Sequence, residues 1–282
     1  MTYPTLDAYL GSPDPSSGPV AIILAEDRTA IARTLEHHAR LGFGLILVIG
    51  PGGVLEGDAE GVVHIEEQIG DRDFAVGLLN RLIDRFAGRW VYWCFNAEFL
   101  YFPFMETRGI RDFTGFLEEE RRDAVFSYVV DLYAGDLDRY PDGVSLDAAY
   151  FDGSGYYAFD RYRDGEALDR QFDVFGGLAW RFEQFVPWER RRIDRIALFR
   201  ATEGLRIAPD LTLNEPEMNT VSCPWHHNAT IAVASFRVAK SLKRNPGSMF
   251  EIDSFLWRRS LPFRWHSEQL LEEGIIEPGQ WF

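Results

Sequence analysis

Residues 19–49 read Pro19-Val20-Ala21-Ile22-Ile23-Leu24-Ala25, then Glu26-Asp27 and a mixed stretch to Leu41-Gly42-Phe43-Gly44, then Leu45-Ile46-Leu47-Val48-Ile49. The first run is short, continuous and rich in β-branched residues, which is the pattern of a parallel strand buried on both faces. From Asp27, read as an N-cap, the spacing of Ile31, Leu35 and Ala39 with Leu41 at the end predicts an amphipathic helix that Gly42 terminates. The last run repeats the first. Strand, helix, strand at this length is a βαβ unit with a right-handed crossover.

The alternation continues outward. Gly50-Pro51-Gly52-Gly53 forms a loop, and Val62 to Ile65 is expected to be a third short strand. Apolar positions at Phe74, Val76, Leu78, Leu79, Leu82, Ile83 and Phe86 predict a helix over 73–86, with Gly88 beyond its end. Trp90-Val91-Tyr92-Trp93-Cys94-Phe95 is a fourth strand. A short helix is expected over 111–122 and a strand over 124–133. Strands alternating with helices imply an α/β protein with a mostly parallel sheet. Residues 135–177, rich in Asp, Gly, Tyr and Arg, read as a loop or insertion over a site. A strand is expected over 193–200. The spacing of Ile231, Val233, Ala234, Val238 and Leu242 predicts a helix over 228–243.

Composition limits the function. With 282 residues, 46% hydrophobic and 15% aromatic, the chain has material for a packed core. A formal charge of −15 opposes nucleic acid and anionic membranes, because phosphate surfaces repel such a field. Two cysteines, Cys94 and Cys223, make neither a disulfide framework nor a multi-cysteine zinc site. There is no signal-peptide pattern at the start and no apolar run of bilayer length. A cytoplasmic protein is the expectation.

Strand exits are where an α/β sheet places chemistry. The Trp90 run delivers Asn96-Ala97-Glu98 into a turn, where Glu98 offers a carboxylate and Asn96 an amide. They either face a charged ligand or cap the turn. Asp131, at another strand exit, is either a general base for a hydroxyl or a turn cap. His226-His227 follow Cys223-Pro224-Trp225. With Arg237, Lys240, Lys243 and Arg244 just beyond, His226 could complete a metal shell and the cations could meet phosphate; otherwise the histidines cap a helix and the cations line its exposed face. Gly50 to Gly53 lacks the known phosphate-loop fingerprints and reads first as a turn. Cys94 is expected to be a core thiol, and His37-His38 to pack on the first helix.

Several segments, in order, resemble a bacterial family 2-like glycosyltransferase: Leu35-Glu36-His37-His38-Ala39-Arg40-Leu41-Gly42-Phe43, Asn96-Ala97-Glu98-Phe99-Leu100, Met105-Glu106-Thr107-Arg108, Val130-Asp131-Leu132-Tyr133, Gly176-Gly177 to Arg181, and Asn219-Thr220 to His227. The resemblance implies a GT-A-like, Rossmann-like sheet flanked by helices with a helical C-terminal segment. The expected domains are a polar leader over 1–18, the catalytic-type domain over 19–245, and a helical extension over 246–282 packed on it. It also implies a nucleotide-diphosphate sugar as donor and a glycan or other hydroxyl as acceptor. By position, Glu26, Gly50 and Gly52 would lie by the nucleoside. Asn96, Ala97 and Glu98 would face the diphosphate, with Arg237 or Lys240 offsetting its charge. Mn or Mg would sit on Glu98 and His226, and Asp131 would act as base. The family's Asp-x-Asp motif is degenerate here, because Asn96 replaces its first acid and Gly-Pro-Gly-Gly replaces an Asp-rich loop. Weak or absent metal dependence follows. The alternative is a non-catalytic GT-A-like protein that binds a glycan or a partner.

Overall fold

The computed structural model describes residues 1–13, 16–57, 61–223 and 226–281. In chain order the strands are β1 (Thr2–Tyr3), β2 (Val20–Leu24), β3 (Leu45–Gly50), β4 (Val62–Glu66), β5 (Trp90–Phe95), β6 (Glu98–Tyr101), β7 (Ala124–Ala134), β8 (Ala149–Asp152), β9 (Tyr157–Arg163), β10 (Glu166–Phe175), β11 (Asp194–Arg200), β12 (Ile231–Ser235) and β13 (Ser260–Pro262). The helices are α1 (Leu6–Leu10), α2 (Ile31–Arg40), α3 (Arg72–Arg85), α4 (Ile110–Glu119), α5 (Gly177–Arg181), α6 (Arg237–Arg244) and α7 (Ser267–Glu272). The fold is α/β with a mixed, mostly parallel sheet, as the alternation predicts.

The chain forms two compact units. The first comprises residues 1–99, 104–126 and 195–219. Its strand order is β1-β4-β3-β2-β5-β11. All these pairings are parallel except β5 with β11. Every residue of β2, β3 and β5 is buried, which explains why they read as unbroken apolar runs rather than alternating ones. The order β4-β3-β2-β5 is that of a doubly wound sheet, third-second-first-fourth strand, with its topological switch point between β2 and β5. Leu24 lies opposite Ile49 on one side and Phe95 on the other, so the chain segments after these three strands leave the sheet together.

The second unit comprises residues 100–103, 127–194 and 220–282. Here β7 pairs parallel with β12 and antiparallel with β8, which pairs antiparallel with β13. β9 and β10 form a separate antiparallel hairpin. A core of Tyr133, Ala134, Leu178, Ala239, Leu242, Ile252 and Phe255 joins β7, α5 and α6.

Three expectations change. The first helix starts at Ile31 rather than after Asp27, with Ala30 in the left-handed conformation as its cap; Asp27 Oδ1 instead accepts the Thr29 amide at 2.8 Å. Residues 228–243 are a strand followed by a helix. Ile231 to Ser235 pairs with Ser127 to Asp131, because a five-residue buried apolar run satisfies strand and helix templates equally. Residues 135–177 hold β8 and the β9–β10 hairpin rather than an unstructured insertion. In the leader, Thr2–Tyr3 pairs with His64–Ile65, and Leu6 and Tyr9 are buried. Within 246–282 the helix is α7, and β13 adds a strand.

Candidate functional site

The switch point of the first unit carries the segment after β2, the Asn96-Ala97 turn after β5 and the Gly50 loop after β3. Asn96 is fully buried and joins the first two. Its Oδ1 accepts the Glu26 amide at 2.9 Å, and its Nδ2 donates to Asp27 Oδ1 at 2.7 Å and to the Thr29 carbonyl at 3.0 Å. Two acceptors and one donor surround it, so this position needs an amide, which offers both. Ala97, at φ 61, donates its amide to Thr34 Oγ1 at 3.0 Å. Gly50 backs onto Ala25, where a Cβ would come within 2.8 Å of the Ala25 carbonyl. Arg28, which sequence reading passed over, donates its Nε to the Gly53 carbonyl at 2.9 Å and is exposed. Glu26, Gly50, Asn96 and Ala97 are thus brought together by the three strand exits. Gly52 lies in the same glycine loop beside Glu66.

Glu98 departs from its sequence role. It begins β6 rather than lying in the turn, and its carboxylate faces inward. Oε2 accepts the Phe95 amide at 2.8 Å and Arg195 Nη2 at 2.6 Å. The two side chains are 2% and 5% exposed. The Arg195 guanidinium in turn lies 4.3 Å above the Trp93 ring. A carboxylate committed to a buried guanidinium does not suit a divalent ion, whose binding would leave Arg195 charged and unpaired. Among the described residues there is no group of three or more His, Cys, Asp or Glu side chains able to hold a metal. The Glu98 and His226 metal set therefore does not fit the residues present. Arg195 was missed because its partner is 97 positions away in sequence; a charged pair, Asp194-Arg195, opening an apolar strand was the available signal.

In the same core Cys94 is buried, and burial pushes its thiol up, so it packs rather than reacts. His38 is held neutral: burial lowers it to about 4. Its Nδ1 lies 2.7 Å from the Thr34 carbonyl, and its ring stacks on Tyr92 at 5.2 Å.

Asp131 ends β7 in the second unit and is 1% exposed. Its Oδ2 accepts the Leu178 amide at 2.7 Å, at the start of α5. Its Oδ1 has no hydrogen-bond partner. Burial pushes the carboxyl up to about 7, opposed by the α5 amides and helped by the nearby Asp152. Gly177, at φ +63, makes the approach possible, since a Cβ there would sit 2.5 Å from Oδ2. Asp152, which sequence reading did not single out, is the hub next to it. It accepts from Tyr133 Oη at 2.5 Å and Trp257 Nε1 at 2.7 Å, and lies 3.2 Å from Arg181 Nε. Its many donors leave it no free role, whereas Asp131 Oδ1 is buried without a hydrogen-bond partner.

The remaining expected residues belong to the second unit too. Lys240 is buried at 5% exposure on α6, not part of an exposed cationic face. Arg237 is half-buried at the start of that helix. His226 precedes β12 rather than a helix, so the helix-capping reading of the histidines does not hold. Pro224-Trp225 lie outside the described residues.

No family model matches this chain, and no curated protein matches it. Among solved structures it is similar to the 2-C-methyl-D-erythritol 4-phosphate cytidylyltransferase of Francisella tularensis at 14% identity, over 66% of this chain and 73% of that one, with a TM-score of 0.31.

Proposed function

We propose that this chain is a GT-A-like glycosyltransferase, related to the family 2-like group, that moves a sugar from a nucleotide-diphosphate donor to an acceptor hydroxyl without a protein-held metal ion. The observation that carries the reading is Asp131, a buried carboxyl raised to about 7 with Oδ1 lacking a partner. A base poised near the working pH with an open lone pair is what deprotonation of a hydroxyl needs. Asp131 takes the acceptor proton, the acceptor oxygen bonds to the anomeric carbon, and the carbon–oxygen bond to the diphosphate breaks with its electron pair leaving on the nucleoside diphosphate.

The donor half of the reading rests on the switch point, where doubly wound sheets bind ligands. Glu26 and Gly50 there would border the nucleoside, and exposed Arg28 would meet diphosphate charge in the ion's place. The pairing of Glu98 with Arg195 favours one competing reading, glycan binding without turnover, because it removes the acid by which relatives of this class hold their metal.

Titration calorimetry with UDP-, GDP- and dTDP-sugars, with and without Mn, separates the two. Donor binding that Mn leaves unchanged, with donor turnover abolished in Asp131→Asn but binding retained, is the expected result. Absence of binding to every donor in both conditions would sink the transferase reading.

A further inference from the structure

In the second unit the β9–β10 hairpin and the turn at residues 188–190 carry aromatic rings that the core does not cover. Tyr157 is 48%, Phe159 51% and Trp188 55% exposed. They are not scattered singly. Phe159 meets Phe175 at 5.8 Å, Phe175 stacks on Trp188 at 4.8 Å and 25°, and Trp180 touches Tyr157 at 5.6 Å and Trp188 at 6.5 Å. Phe175 is buried beneath them, and Arg191 lies 5.7 Å from the Trp188 ring centre. The result is a preorganised ring surface, with little side-chain entropy left to lose on binding.

We propose that this platform binds a neutral carbohydrate chain, by stacking the C–H face of its sugar rings on Trp188 and the flanking Tyr157 and Phe159. Two features select that occupant. Three half-exposed rings offer roughly 300 Å², well below the ~800 Å² that each side of a stable protein interface covers, but matched to one or two sugar rings. The surroundings are polar and carry both signs of charge: Asp160, Asp164, Glu166 and Glu189 are exposed on or beside the hairpin, with Arg163 and Arg190 exposed among them. Carboxylates accept hydrogen bonds from sugar hydroxyls and guanidinium groups donate to them, so both signs suit a neutral polyhydroxyl chain. The platform also adjoins the candidate base, since Trp180 lies on α5, the helix whose Leu178 amide Asp131 accepts. As an acceptor subsite it rests on the transferase reading; as a carbohydrate surface it is measurable alone.

The test titrates cellohexaose, maltohexaose, xylohexaose and mannohexaose into the full chain, followed by calorimetry and tryptophan fluorescence, with no donor present. Binding of at least one hexaose is expected, weakened about tenfold or more in Trp188→Ala and in Phe159→Ala, and kept in Trp188→Tyr. Circular dichroism controls for folding. The proposal is overturned by no hexaose binding, by binding that Trp188→Ala leaves unchanged, or by self-association or binding to phosphatidylglycerol vesicles that Trp188→Ala abolishes. Donor binding and turnover are read on the same proteins. Hexaose binding without donor binding overturns the transferase reading alone, and donor turnover without hexaose binding overturns this one alone.

Discussion

Glu98 and Arg195 meet at 2.6 Å between side chains 2% and 5% exposed, an ion pair closed off from water in the core of the first unit. Removing one partner of such a pair strands the other charge, at a typical cost of about 3–5 kcal/mol. Glu98→Ala is therefore expected to lower stability by that order in urea denaturation, with Glu98→Ala combined with Arg195→Met recovering part of the loss. A metal ligand would behave differently, its removal costing little in metal-free buffer. A single substitution that leaves the urea midpoint in place would refute the internal-pair account.

Asn96 sets a second expectation at the degenerate motif position. An aspartate there would face the Asp27 carboxylate and the Thr29 carbonyl, to which Nδ2 now donates. Asn96→Asp thus loses two hydrogen bonds and sets two carboxylates against each other, a cost of about 2 kcal/mol or more. The loss is expected to shrink at pH 5, where one of the two acids can carry a proton. Mn should not restore it, because Glu98 remains on Arg195. Thermal melts at pH 5 and 7.5 with and without Mn give the answer, and a midpoint raised by Mn would revive a metal site.

Asp131 gives a pH signature. With its carboxyl at about 7 in the folded chain against an ordinary value near 4 when unfolded, both states are protonated below about pH 4 and both ionised well above 7. Between these limits the folded state holds the extra proton, so stability falls as pH rises, by up to ~1.4 kcal/mol per unit. The cost is complete above about pH 7. Asp131→Asn does not titrate, whereas Asp152 and Asp194, also raised by burial, do so in both proteins. The melting midpoint of the variant minus that of the parent should therefore rise from pH 5 to pH 8. A flat difference would place the Asp131 carboxyl in its ordinary range.

Much of the fold was legible in the sequence because β2, β3 and β5 are buried on both faces, and an unbroken apolar run bounded by turns suits few elements besides a central parallel strand. The β9–β10 hairpin was not. Six of the seven residues of β9 are exposed, so no one-sided burial imposes an alternating pattern, and its rings meet Trp180 of α5 and Phe175 of β10. At the site, Asn96 and Asp131 were identifiable from their places at strand exits, but their roles depend on partners far along the chain. Asn96 answers to Glu26 and Asp27 across about 70 positions, and Glu98 to Arg195 across 97. Local spacing carries no trace of such pairs, which is how a carboxylate expected to hold a metal turns out to be bound to a guanidinium.

Gly177 separates backbone strain from contact with the candidate base. Its φ of +63 puts a side chain in the left-handed region, and a Cβ would stand 2.5 Å from Asp131 Oδ2. Gly204, at φ +80, has no atom within 4 Å of the same added carbon, so Gly204→Ala reports the conformational cost alone, about 1 kcal/mol. Gly177→Ala should cost more, by about 1–3 kcal/mol further, because the Asp131 carboxylate must leave the Leu178 amide or the α5 backbone must shift. Either movement removes the hydrogen bond that fixes the carboxylate. Gly177→Ala is therefore also expected to lose donor turnover at temperatures where circular dichroism shows it folded, while Gly204→Ala keeps it. Equal stability losses in the two variants, with turnover retained in both, would mean that the close approach of Gly177 to Asp131 plays no part in holding the base.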